Sequence, residues 1–234
     1  MHVIKPEVFD EHYQITMEFK LNTPLRREPF DEDFVHEISG RILASLDDEE
    51  SAEEAGILSA TLAQFDEAME HGIDSERLGD GISGELGFYW EELFDVNTGD
   101  LKPEIRVEHE TEGCNLLIFN FIQVHPKFRG HDIGLTAVQK TIEIFAHGCA
   151  LVALTPEPLQ FTSLFRDDPD KLKQLQAPNS PKPLAMRKLR QYWSKADFAP
   201  FGENGIYLKS PRLEAVESFR LRRLTEGDHP LLTP

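Results

Sequence analysis

The residue types and spacing that could do chemistry lie in one run, Val124-His125-Pro126-Lys127-Phe128-Arg129-Gly130-His131-Asp132-Ile133-Gly134. It is a short glycine-containing turn between an apolar stretch and an amphipathic one. Where a strand passes into a helix through such a turn, successive backbone N–H groups face a common point, and the helix start adds roughly half a positive charge. An anion is the natural occupant. The glycines allow it to come close, and Arg129 can add a charge-assisted contact to phosphate.

The flanking elements must hold that loop. Leu116 to Val124 is an almost unbroken apolar run, which fits a central strand covered on both faces. His125 and Pro126 end it. Leu135, Val138, Ile142 and Phe145 then fall on one helical face, with Asp132 placed to cap the helix and Gly148 to end it. A second apolar strand, Ala150 to Leu154, follows at once. The order is strand, loop, helix, strand, a β-α-β unit whose strands share a sheet. Elsewhere, Tyr13 to Leu21 alternates as a strand does, and Gly56 to Phe65 reads as a buried strand. Phe34, Ile38, Ile42 and Leu46 recur every four residues, so Phe30 to Leu46 is expected to be a helix capped by Asp31, with Asp33 in its first turn. Asp66 to His71 can start a helix, Gly72 to Gly87 reads as loop, and Tyr89 to Phe94 as a short helix. Asp167 to Pro183 should be irregular, Leu184 to Lys195 helical, and Gly205 to Lys209 a last strand.

The loop and its setting resemble the acyl-CoA site of the GNAT superfamily, the CoA-dependent N-acetyltransferases. That pattern is Arg/Gln-x-x-Gly-x-Gly/Ala after a strand ending in Val-x-Pro. Arg129 and Gly134 match its ends, Val124 and Pro126 match the strand exit, and Asp132 stands where the central glycine is expected. The run Tyr192-Trp193-Ser194-Lys195-Ala196-Asp197-Phe198 resembles the family's late helix. The likeness spans about Leu116 to Leu208. It implies an α/β (α+β) fold with a mixed, partly parallel central sheet flanked by helices. It also implies acetyl-CoA as co-substrate and a primary amine as acceptor. The main chain of Ile122 and Val124 would hold the pantetheine arm. Backbone amides of Arg129, Gly130, His131, Asp132, Ile133 and Gly134 would hold the pyrophosphate, with His131 able to touch phosphate. The family often uses a late-helix tyrosine as general acid. Trp193 aligns there and cannot supply a proton, which leaves Tyr192, one residue earlier, as the candidate. Glu157, after the second strand, is the candidate base. A fold-retaining CoA-binding or protein-interaction module without catalysis is the competing reading.

The bulk numbers bound the rest. A length of 234 residues suits one domain, with an acidic, divergent part over 1–110, a core over about 111–209 and a tail over 226–234. A net charge of -18 argues against general nucleic-acid binding. Between Lys171 and Arg223 there are twelve Lys/Arg against four Asp/Glu, whereas residues 1–170 hold twelve against thirty-six. A basic region on an acidic protein can hold an anionic ligand. Cys114 and Cys149 show no metal-ligand spacing, and Cys149 reads as core. No metal is expected. The first residues lack the pattern of a secretory signal and no apolar run approaches a membrane span, so cytoplasmic residence is the default expectation. Gly79-Asp80-Gly81-Ile82-Ser83-Gly84 matches Gly-x-Gly-x-x-Gly, but a polar stretch precedes it where a dinucleotide site needs a buried strand.

Overall fold

Alternation by two places both faces of the core on three short strands. A computed structural model describes residues 13–23, 28–46 and 52–211. The first twelve residues and the tail lie outside them. The elements in chain order are β1 (Tyr13–Leu21), β2 (Val35–Leu46), β3 (Glu53–Ala63), α1 (Phe65–Glu70), α2 (Ser75–Ile82), α3 (Gly84–Leu93), α4 (Pro103–His109), β4 (Leu116–Val124), α5 (Ile133–Phe145), β5 (Leu151–Leu154), α6 (Ser163–Arg166), α7 (Pro169–Leu175), α8 (Lys182–Ser194), β6 (Ala199–Phe201) and β7 (Ile206–Lys209). The strands form one seven-stranded sheet in the order β1-β2-β3-β4-β5-β7-β6. Among the described residues only β4 and β5 pair in parallel.

Leu116, Ile118, Leu151, Ala153, Ile206 and Leu208 pack toward α1–α4. Leu117, Phe119, Val152, Leu154 and Tyr207, the residues between them, pack toward α5 and α8. Each strand is therefore apolar on both faces, which is why β4 reads as a continuous apolar run. This is the expected mixed α/β architecture, and the acidic N-terminal part shares its sheet with the loop-bearing part. The start of β4 is fastened by side chains: Asp66 accepts from the Cys114 N–H at 2.9 Å, and Asn115 Oδ1 accepts from the Asp66 N–H at 2.9 Å.

The helix expected over Phe30 to Leu46 is instead a 3-10 turn, Asp31–Phe34, followed by β2. A four-residue spacing is also an even number, so it equally marks one face of a strand. Ile38 and Ile42 are fully buried on that face, and β1 and β3 pair on either side. Asp31 does not cap the turn; the Asp33 carboxylate accepts from the Phe30 N–H at 2.9 Å.

The loop expected over Gly72 to Gly87 is mostly helix. Asp74 caps α2 by accepting from Arg77 N–H, Ser83 caps α3 by accepting from Leu86 N–H, and Leu78, Leu86, Tyr89 and Trp90 bury between them. Gly79 is needed for closeness: a Cβ there would lie 2.5 Å from Trp90 Cγ. No strand leads into this glycine cluster, so it is a helix pair and not a phosphate loop. Asp167 to Pro183 likewise contains a helix, α7. No helix among the described residues is long and apolar enough to cross a membrane.

Candidate functional site

β4 is longer than its parallel partner, and the cleft begins where they part. β4 and β5 pair from Leu116↔Leu151 to Phe119↔Leu154, after which β4 continues alone on that side to Val124. Its pairing with β3 shifts register at the same point, Ser59↔Phe121 followed by Ala60↔Phe119, so Asn120 is a bulge residue. Beyond the bulge the His125 N–H donates to the Ala55 carbonyl at 2.8 Å. Alternation then turns the main-chain groups of Gln123 and Phe121 toward β3, and those of Ile122 and Val124 toward the open side. A cavity of about 1270 Å³ follows that free edge from α3 to the start of α5.

Ile122, Val124, Arg129, Gly130, Asp132, Ile133, Gly134, Glu157 and Tyr192 all line this one cavity. His131, half-buried in the same loop, does not.

The loop is pinned from below by Phe128 and Ile133, which bury against Ile42, Ala44 and Ala55. Gly130 and Asp132 both have left-handed backbone, at φ 90 and 52. Asp132 thus stands at a position that glycine fills without strain and that Asp tolerates better than most residues. The cap expected from it is absent: a capping side chain reaches the helix N–H groups from extended backbone, and Asp132 is left-handed. Only its carbonyl joins α5, accepting from Thr136 N–H at 3.0 Å.

Tyr192 fills the place next to it. The Leu135 N–H lies near the Tyr192 hydroxyl. A Cβ on Gly134 would lie 2.5 Å from that oxygen, so Gly134 is the residue that admits the ring. Burial, and then the nearby Asp132 charge, push the phenol up to about 12, against the opposing pull of the Leu135 N–H. Trp193 turns instead into the core, edge-on to Phe198 at 5.8 Å. The general-acid and pyrophosphate-site expectations thus converge on one spot: a phosphate on the Gly134–Leu135 amides requires Tyr192 to move aside.

Arg129 does something other than what its type suggested. Its guanidinium donates to three carbonyls: Val124 at 2.9 Å, Leu175 at 2.6 Å and Gln176 at 3.3 Å. It ties the C-terminal end of α7, where a cation complements the helix dipole, to the end of β4. Burial lowers its pKa. It builds the wall of the cleft, and one lone pair of the Val124 carbonyl is occupied by it. Lys188 of α8 and Lys195, which follows its last residue, also line the cavity.

Glu157 is held in an ion pair with Lys182 Nζ at 2.7 Å. A third carboxylate, unforeseen in the sequence, lines the opposite end: Glu85, in the first turn of α3. Desolvation raises its pKa. Phe88 and Tyr89 accompany it, and Tyr89 Oη lies 3.0 Å from Thr155 Oγ1 at the end of β5. Burial also raises the Tyr89 pKa. Asn120 donates to Ser59 Oγ at 3.1 Å and to Thr61 Oγ1 at 3.0 Å, a polar trio on the sheet face that α1–α4 cover elsewhere. The signal for Glu85 was the spacing of Glu85, Phe88 and Tyr89, which share one helical face. It was hidden because the segment reads as loop.

Both cysteines are free and buried, and burial pushes the Cys149 thiol up to about 12, in keeping with a core residue. Among the described residues no group of three His, Cys, Asp or Glu could hold a metal ion. Comparison of the chain with protein-family models, curated proteins and solved structures found no match. Fold and site define a mixed α/β protein with a deep cleft running from a strand edge to a helix N-terminus.

Proposed function

We propose that the protein is an N-acyltransferase that takes an acetyl group from acetyl-CoA, or a close acyl-CoA relative, and passes it to a primary amine. The observation that carries this reading is the cleft itself. Its middle is the unpaired edge of β4, with main-chain groups suited to the amides of a pantetheine arm. One end reaches the N-terminus of α5, with Lys188 and Lys195 in the lining, a setting for phosphates on an otherwise acidic protein. The other end carries a carboxylate without an ion-pair partner among the described residues, Glu85, suited to an amine. The resemblance of the Arg129–Gly134 loop to the GNAT pattern supports the same assignment.

In this reading the neutral amine attacks the thioester carbonyl and the thiolate leaves. Most of the acceleration comes from holding the two reactants together in one cleft. Tyr192, displaced from the start of α5 when phosphate binds there, carries its proton at neutral pH and is in the form that can give it to the thiolate. Glu157 is the weaker candidate for base, since its ion pair with Lys182 favours the carboxylate as a fixed charge.

One observation favours a second reading, a CoA-binding or protein-interaction module without catalysis: the Tyr192 ring sits on the amides meant for phosphate. Calorimetry with acetyl-CoA, NAD and ATP, beside thiol release across a panel of amines, separates the two. The enzyme binds acetyl-CoA alone and releases thiol when an amine is added. Absence of acetyl-CoA binding at millimolar ligand overturns both readings, and binding without thiol release for any amine favours the module.

A further inference from the structure

We infer that the α3 end of the cleft is the acceptor chamber, and that it selects a small amine with an apolar body and no carboxylate, through Glu85 and Phe88. The inference rests on the acyl-CoA reading above and names the acceptor that this reading left open.

Three observations carry it. Glu85, Phe88 and Tyr89 stand three and four residues apart on α3 and all line the cavity, so one helix face forms the chamber wall. The Tyr89–Thr155 contact at 3.0 Å fixes that face to the end of β5, where β5 leaves β4. The chamber therefore opens on the point where the free edge of β4 begins. Of the three carboxylates that line the cleft, Glu157 is paired with Lys182 and Asp132 lies beside Tyr192 at the far end. Glu85 is the one left to meet a cation. Phe88, half-buried and 5.6 Å from the Tyr89 ring, supplies apolar surface one turn away. The floor is polar, with Ser59 and Asn120 in the lining. An ammonium on a short apolar body matches this set. A carboxylate on the same body would face Glu85 and be repelled.

The chemistry closes. The bound ammonium gives one proton to the Glu85 carboxylate, which lines the cleft and is exposed enough to pass that proton on to water. The neutral nitrogen forms the C–N bond to the acetyl carbon and the C–S bond breaks. The departing thiolate takes the Tyr192 proton, the nitrogen's next proton replaces it on Tyr192 through water, and Glu85 returns its proton to water.

The test uses the full chain, acetyl-CoA and three amines: phenethylamine, phenylalanine, which adds a carboxylate to it, and ethylamine, which lacks its ring. The kcat/KM for phenethylamine is expected to exceed that for phenylalanine by about a hundredfold and that for ethylamine by about tenfold. Glu85→Gln should collapse the first ratio and abolish the acid limb of the pH–rate profile. Phe88→Ala should collapse the second, and Phe88→Leu, which keeps apolar volume, should retain part of it. Calorimetric affinity for acetyl-CoA should stay unchanged in each variant, and melting curves report whether each is folded. Equal use of phenylalanine and phenethylamine by the wild type overturns the inference, as does a first ratio that survives Glu85→Gln. A protein that binds acetyl-CoA but neither acetylates nor binds phenethylamine also overturns it, while the acyl-CoA reading stands. Failure to bind acetyl-CoA is the distinct result that removes that reading.

Discussion

Tyr192 and Gly134 hold one another in place at the start of α5. The ring is there because residue 134 has no side chain, and its hydroxyl lies near a helix N–H that has no partner within the helix. Gly134→Ala should therefore push Tyr192 out. The expected result is a loss of about 1–3 kcal/mol in a denaturant melt, the cost of forcing a methyl into filled space. Tyr192→Phe removes the hydroxyl from beside the Leu135 N–H. Acetyl-CoA should then bind more tightly while turnover falls by about 10²-fold, so that Kd and kcat move in opposite senses. A fall in Kd with kcat unchanged assigns Tyr192 to the phosphate site alone. The same variant checks the titration. The folded phenol is pushed up to about 12 from an ordinary 10.0, so between those values the unfolded chain loses the proton first. Stability from the protonated phenol is intact below pH 10 and is lost as pH rises toward 12. Wild type should weaken relative to Tyr192→Phe over that window, by up to about 1.4 kcal/mol per pH unit.

At the scale of elements, the wall of the cleft is a helix tied to a strand. Arg129 joins the end of α7 to the end of β4 through three carbonyls. Each such charged bond is worth about 1.5–3 kcal/mol at most, and they share one side chain. Arg129→Gln is expected to destabilise the protein by about 2–4 kcal/mol and to speed hydrogen exchange across residues 167–180, measured by mass spectrometry. If Arg129 instead served phosphate alone, exchange in the free protein would not change. α2 and α3 are coupled in the same way by a single small residue. Gly79→Ala places a methyl against Trp90 and should loosen the α3 face that carries Glu85.

For the whole molecule, charge is the organising fact. A chain of net charge -18 places exposed Lys188 on, and Lys195 just past, a helix that borders its cleft. Attraction of a polyanionic ligand should therefore depend on salt. Acetyl-CoA affinity is expected to fall several-fold between about 0.05 and 0.5 M salt, and Lys188→Ala with Lys195→Ala should flatten that dependence. Ligand at about 100 times its Kd should raise stability by about 2.7 kcal/mol, seen as a shift in melting temperature. No shift at millimolar acetyl-CoA would remove the proposed co-substrate.

The sequence by itself determined what burial and local geometry decide together. The unbroken apolar runs of β4 and β5, with an amphipathic helix between them, could only be central strands around α5, and they stand there. Most of the cleft lining around that unit was legible for the same reason: strand, turn and helix are contiguous, so their order in the chain fixes their order in space. Tertiary structure decided the rest. Period four at Ile38 and Ile42 fits a helix and a strand alike, and only pairing with β1 and β3 chose the strand. Asp132 looked like a cap until its backbone proved left-handed, and Arg129 looked like a phosphate hand until α7 offered it three carbonyls with the strand. Glu85 lies more than thirty residues from the loop whose cleft it shares. Contacts between distant segments carry no spacing rule, because they depend on which elements pack against the same stretch of sheet, and only the folded chain fixes that.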